Sequence, residues 1–176
     1  MGVTADTPTN LVVGAGNVLV DHANVGSSTE SNLFAIDREI FTPDLNGTKG
    51  ALLGTDYITS STGRIETTVP EVNGIIMARG WPGSQSTGVV GGMEIINEDE
   101  QRRIPLTDYH DWEVQVERLG GGAFQFEVDN AIQTGSLEYE LQDDGLVAPR
   151  FTVMGRWDPA NLTASPHRIR ILATAS

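Results

Sequence analysis

The sequence predicts a mainly β domain with one helix and one long loop, and three observations carry that prediction. Twenty glycines divide the chain into short pieces, and the apolar residues between them favour valine and isoleucine, a mixture typical of β proteins rather than helical bundles. Apolar and polar residues alternate with period two over several segments of the C-terminal half. Only one segment repeats its apolar residues with helical spacing. The length, 176 residues, is that of a single domain able to bury a sizeable core. Residues 11–176 are read as that domain and residues 1–10 as a flexible N-terminal arm.

The stretch from Leu11 to Val20 is apolar and interrupted by Gly14-Ala15-Gly16, then runs into the polar turn Asp21–Gly26. It predicts a first strand, a short hairpin and a second strand around Leu33 to Phe41. From Thr42 to Gly63 the chain holds one proline, four glycines and many Ser and Thr, with only short apolar groups such as Ala51-Leu52-Leu53. Loops this long inside compact domains are either functional or simply mobile surface.

The helix is expected over 69–79. Thr68 and Glu71 fit a capping box, Pro70 suits the first turn, and Val72, Ile75 and Ile76 fall on one face. Gly80 stands where a C-terminal cap belongs. Asn73-Gly74 limits the helix to about three turns. Arg79 to Gly92 is a glycine-rich connection, and Met93 to Ile96 fits either a strand end or a helical turn.

Further along, Trp112, Val114 and Val116 alternate with Glu113, Gln115 and Glu117. Phe124, Phe126 and Val128 alternate with Gln125, Glu127 and Asp129, and Leu137, Tyr139 and Leu141 with Glu138, Glu140 and Gln142. Gly120-Gly121-Gly122, Gly135 and Asp143-Asp144-Gly145 separate these runs from one another and from Pro149–Gly155, and Ile169 and Ile171 alternate with Arg168 and Arg170 at the end. Period two across several segments marks half-buried antiparallel strands. The polar faces of the three central strands carry three Gln and six acids: Glu113, Glu117, Glu127, Asp129, Glu138 and Glu140. Like charges opposed across a sheet are unfavourable by a few tenths to about 1 kcal/mol per pair. Such a face is either ordinary solvated surface or a surface selected to repel an anion.

Charge narrows the function classes. Twenty-four acids against eleven bases leave a net charge of −13, and Lys49 is the only lysine. That sign opposes binding to DNA phosphates and to anionic membranes. No run approaches the roughly 18 to 20 apolar residues of a membrane span, and Met1 to Asn10 lacks the basic and apolar segments of a signal peptide. Without cysteine there is neither a disulfide framework nor a thiolate metal site.

Motifs for chemistry are weak. Gly14-Ala15-Gly16 lacks the third glycine of a dinucleotide fingerprint, since Leu19 occupies its place, so these glycines are read as bending or bulging a strand. Of His22, His110 and His167, only His110 sits among acids, in Asp108-Tyr109-His110-Asp111, with no second histidine at ligand spacing. Asp143-Asp144-Gly145 is a good turn without the further oxygens of a calcium loop. No nucleophile elbow is present, and nothing singles out two glycosidase carboxylates. No cofactor, metal or enzymatic activity is expected.

Three stretches carry a resemblance. They are Leu11–Gly26 (LVVGAGNVLVDHANVG), Ile36–Gly47 (IDREIFTPDLNG) leading into the long loop, and Pro149–Pro159 (PRFTVMGRWDP). With the order of elements they make the chain resemble the major tail tube proteins of long-tailed, siphovirus-like phages and prophages, over most of its length. The resemblance implies two packed antiparallel sheets, in a sandwich or barrel-like arrangement, with a flanking helix and a long loop. It further implies hexameric rings stacked into a tube in the virion, assembled in the host cytoplasm. The partners would be other copies of the chain, the tape measure protein, the tail terminator and tail-tip proteins. DNA would pass through an electronegative lumen without specific binding.

On that reading 42–63 is the inter-ring loop, with Asp44, Asn46, Lys49, Leu52, Leu53, Asp56 and Tyr57 as contact residues. The six acids become candidates for the lumen, chosen by alternation. Two other roles compete: a capsid-decorating or tail-joining phage protein, and a carbohydrate-binding or hydrolysing β-sandwich. The last would want exposed aromatics on a groove, and the three tryptophans are scattered along the chain.

Overall fold

The computed structural model describes residues 12–28, 32–43, 53–70, 74–86, 93–95, 103–118, 121–136, 138–141 and 147–173. Strands β1 (Val12–Val20) and β2 (Ala23–Ser27) form the opening hairpin. Its two-residue turn, Asp21-His22, has φ of 51° and 63°, the left-handed pair of a type I′ turn whose twist matches the strands it joins. The expected bulge is present: β1 slips register against its neighbour between Val12 and Gly16. A Cβ at Gly16 would lie 2.5 Å from the Gln115 carbonyl oxygen, so the close backbone approach there requires glycine.

A second hairpin pairs β3 (Leu33–Phe41) with β4 (Tyr57–Thr68). Here two expectations change. Tyr57 to Gly63 belongs to β4 rather than to a loop spanning 42–63. Its Ser and Thr read as loop residues, but Tyr, Ile and Thr also suit a pleated strand once a partner is present. Thr68 is the last strand residue, paired with Arg150, and does not cap a helix. The helix α1 (Gly74–Gly80) falls in the expected region and buries Ile76 completely. The expected Glu71 cap and the Val72 and Asn73 positions lie outside the described residues. At seven residues the helix is too short to hold itself, so its burial against the sheet supports it.

Short strands β5 (Ser84–Ser86) and β6 (Met93–Ile95) pair separately, which resolves the ambiguous apolar group as strand. A 3-10 turn at Leu106–Asp108 leads into β7 (His110–Arg118), followed by β8 (Ala123–Gln133), β9 (Glu138–Leu141), β10 (Val147–Met154) and β11 (His167–Leu172).

The architecture is mainly β, as the sequence predicts. The two half-sheets that pack on a shared core are joined by hydrogen bonds through β8. Among the described residues nine strands make one antiparallel sheet in the order β2-β1-β7-β8-β10-β4-β3, with β11 also on β8 and β9 also on β10. The continuity comes from the length of β8. Its first half pairs with β7 and β11, and its last residues, Ile132 and Gln133, pair with β10. The two halves of the sheet share one core: Val18, Val20, Trp112, Val114 and Val128 from one, Ile65, Phe151 and Val153 from the other. Trp112 and Phe151 meet across it with ring centroids 5.3 Å apart, and Phe34 meets Phe126 at 5.1 Å.

Phe151 is the centre of this packing. It is fully buried, touches Trp112, and lies where a Cβ on Gly80 would come within 2.3 Å of its ring, so α1 docks only because residue 80 has no side chain. Replacing Phe151 with alanine is expected to cost ~3–5 kcal/mol of unfolding free energy in a urea titration. A loss below about 1 kcal/mol would show that the two half-sheets do not depend on this contact.

Candidate functional site

Strand register builds two surfaces. Across β1, β7, β8 and β11 it aligns Leu19, Glu113, Glu127 and Arg168 in one row and Asn17, Gln115, Gln125 and Arg170 in the next. The apolar row Val18, Val114, Phe126 and Ile169 faces the other way; the first three pack in the core, while Ile169 at the row's end is exposed. Period-two alternation therefore locates the polar face correctly, but not its electrostatics.

Glu113 and Glu127 are not open acids on a solvated face: they are 1% and 2% exposed. The side chains of flanking strands cover the middle of the row. Glu113 accepts a hydrogen bond from Gln125 and pairs with His22, which stands at the β1–β2 turn. Arg168 donates to Glu127 at 2.7 Å and to Asp129 at 2.6 Å. Arg170 lies 3.1 Å from the second Glu127 oxygen, close enough for an ion pair though not aligned as a hydrogen bond. Burial pushes the Glu127 carboxyl upward, and Arg168 and Arg170 oppose that shift.

Of the six acids, then, Glu113, Glu127 and Asp129 are engaged within the chain, and Glu117 is exposed. Glu138 and Glu140 lie on β9, with side chains outside those described. The sequence shows Arg168 and Arg170 alternating on a strand. What it hides is the register that brings them against Glu127.

The second surface is a projecting ribbon. β10 pairs with β4 only over Arg64–Thr68, so among the described residues the outer part of the β3–β4 hairpin has no third strand. There Ile40 pairs with Ile58 and Phe41 with Tyr57, and these four side chains are 63%, 61%, 56% and 62% exposed. Thr42 donates to Asp56 at 2.6 Å and holds the ribbon's end together. Leu53 is fully exposed beside Gly54, whose φ is +87°. Of the predicted contact residues, Asp56 and Tyr57 thus sit at the ribbon and Leu53 beyond it. Asp44, Asn46, Lys49 and Leu52 lie outside the described residues. Ile40, Phe41 and Ile58 were not singled out as contacts by sequence, because alternation alone does not say that nothing covers them.

Elsewhere the acidic residues around His110 serve the chain's own backbone. His110 contacts Asp21 at 2.9 Å, Asp111 accepts from the Asn130 amide at 2.9 Å, and Asp108 from the Gly83 amide at 2.9 Å. Among the described residues no group of three or more His, Cys, Asp or Glu is arranged for a metal, and no helix is long and apolar enough to cross a membrane. The tryptophans do not all stay scattered. Trp112 is core, whereas Trp157 joins Tyr109 on a pocket of about 360 Å³. No family model matches this chain, and no curated protein matches its sequence.

The His22–Glu113 pair gives the polar face a pH dependence with a definite sign. The hydrogen bond to Glu113, then its charge, holds the His22 imidazole above its ordinary value. A raised folded-state value means that the pair's stabilisation is complete below about pH 6.5 and is lost as pH rises through the folded value. In an NMR titration His22 is expected to show a midpoint above about 6.5 that falls in a Glu113→Gln variant. An unchanged midpoint would remove Glu113 as the cause.

Proposed function

We propose that this chain is the subunit of a phage tail tube, a structural virion protein that self-assembles into stacked hexameric rings and conducts DNA. The observation that carries the reading is the ribbon. A two-stranded hairpin is at best marginally stable in water, and this one exposes Ile40, Phe41, Tyr57 and Ile58 beyond the third strand. Apolar surface of that kind marks an interaction site, and a second copy of the chain in the adjacent ring is the partner the reading assigns to it.

Two further features support the assignment. Among the described residues β2 and β11 pair on one side only, with β1 and β8 respectively, which leaves the polar half-sheet two edges there. Ring closure joins such edges between copies and removes the hazard they pose to a free monomer. The polar face between them carries Glu113, Glu117, Glu127 and Asp129 against Arg168 and Arg170, an acidic excess with its central charges neutralised. Lining a lumen, it would repel DNA phosphates without holding them. On this reading the tape measure, terminator and tail-tip proteins are the remaining partners, and no catalysis is involved. A decorating or tail-joining protein would share the composition but would form a closed oligomer that does not stack.

Negative-stain electron microscopy of the purified protein at rising concentration tests the reading, with tubes or stacked six-fold rings expected. The double variant Ile40→Lys/Ile58→Asp, whose opposite charges face each other across the hairpin, should unfold within about 0.5 kcal/mol of the wild type, as surface changes do, yet form no long tubes. Normal tubes from that variant would remove the ribbon from the inter-ring contact. A small closed oligomer from the wild type would replace the tube with the decorating or joining role.

A further inference from the structure

A second site lies away from the ribbon, beside the end of the polar face at Asp129. Trp157 and Tyr109, distant in sequence, line the pocket of about 360 Å³ together with Asn130, Arg156 and Asp158. That volume is within the range of small-molecule sites, and the mixture of aromatic surface with a few polar groups is their usual composition. Trp157 is 42% exposed, so a substantial part of its side chain is open to solvent.

The polar rim is fixed by backbone bonds. The Asn130 amide donates to Asp111 at 2.9 Å, the Arg156 amide to the Asp129 carbonyl at 3.3 Å, and the Ala160 amide to one Asp158 oxygen at 2.8 Å. The other Asp158 oxygen and the Asn130 side-chain amide have no partner among the described residues. Both acceptor and donor capacity is therefore available beside the aromatic surface.

The charges decide the ligand class. One guanidinium and one carboxylate leave the rim neutral, which selects neither a phosphate nor a cation. An aromatic face wants an apolar flat surface, and planar side chains that both donate and accept want groups that do the same. A pyranose ring offers both: one face of C–H bonds and an edge of vicinal hydroxyls. We propose that this pocket binds one ring of a neutral saccharide, stacked on Trp157 and held at its hydroxyls by Asp158, Asn130 and Arg156. The site is independent of tube formation and can hold even where that reading fails.

Saturation-transfer NMR and tryptophan-fluorescence titration of the full chain test it. The probes are the methyl glycosides of glucose, galactose, mannose, rhamnose and N-acetylglucosamine, with maltose, lactose and chitobiose. At least one is expected to bind with a dissociation constant on the order of millimolar, with saturation strongest at ring C–H protons. Trp157→Ala should weaken that binding roughly tenfold or more while leaving the melting temperature unchanged, because the residue lies at the surface. Asp158→Asn should weaken it too. No binding by any probe, or equal binding by the Trp157→Ala protein, would overturn the proposal. So would a Trp157-dependent response to a proline-rich peptide with none to the sugars.

Discussion

Around Asn130 the longest strand of the polar half-sheet changes partners, and the rest of the molecule is arranged by that exchange. Up to Val128 the outer neighbour of β8 is β11, which ends its pairing at His167. From Ile132 the neighbour is β10. Between them the backbone is carried by single bonds: the Asp129 amide to the Pro166 carbonyl at 2.8 Å, and the Arg156 amide to the Asp129 carbonyl at 3.3 Å. Asn130 itself has φ 47°, a conformation that asparagine tolerates better than most residues, and its amide is caught by Asp111 on β7. Without a satisfied backbone at this break, burying it beside the core would be costly. With it, one continuous sheet brings its two halves onto a common core.

The polar face shows how a strongly acidic chain can place carboxylates side by side. Glu113 and Glu127 are cross-strand partners, an arrangement that is unfavourable when both are charged and unaided. Each is relieved by a different neighbour: Glu113 by Gln125 and the His22 imidazole, Glu127 by the two guanidinium groups of β11. Removing one member of such a set leaves the others uncompensated, so the network ties β7, β8, β11 and the β1–β2 turn together. The net acidity of the face is thus a remainder after internal pairing. It is smaller than alternation along single strands implies.

What was legible in the sequence was what depends on short range. The period-two runs located β7, β8 and β11, the Gly14–Gly16 interruption marked a bulge, and the apolar spacing around Ile76 marked the helix that docks on the core. Illegible was whatever required two distant segments to be aligned. Tyr57 to Gly63 looked like loop because its partner, the outer part of β3, lies earlier in the chain, across residues 42–56. Glu113 and Glu127 looked exposed because the residues that cover them come from β1 and β11. Trp157 looked isolated because Tyr109 reaches it only through the turn before β7. The single-sheet topology was likewise invisible, since it rests on one strand being long enough for two sets of partners.

The ribbon and the open edges bear on why this domain would assemble at all. A monomer that needed only to be soluble would shorten β3 and β4 at the point where β10 stops pairing, and would place charges at Ile40 and Ile58. Asp37, Arg38 and Glu39 do supply charge along the root of the ribbon, yet the side chains at its end are apolar on both faces. Beyond their pairing with each other across the hairpin, projection past the sheet leaves these side chains largely exposed. It also gives the reach that a contact between separate copies requires. The same reasoning applies to β11, where Ile169 and Ile171 remain 54% and 63% exposed beside an edge that no described strand covers. Under the proposed assembly both features, which cost the isolated chain, become gains once a neighbour is present.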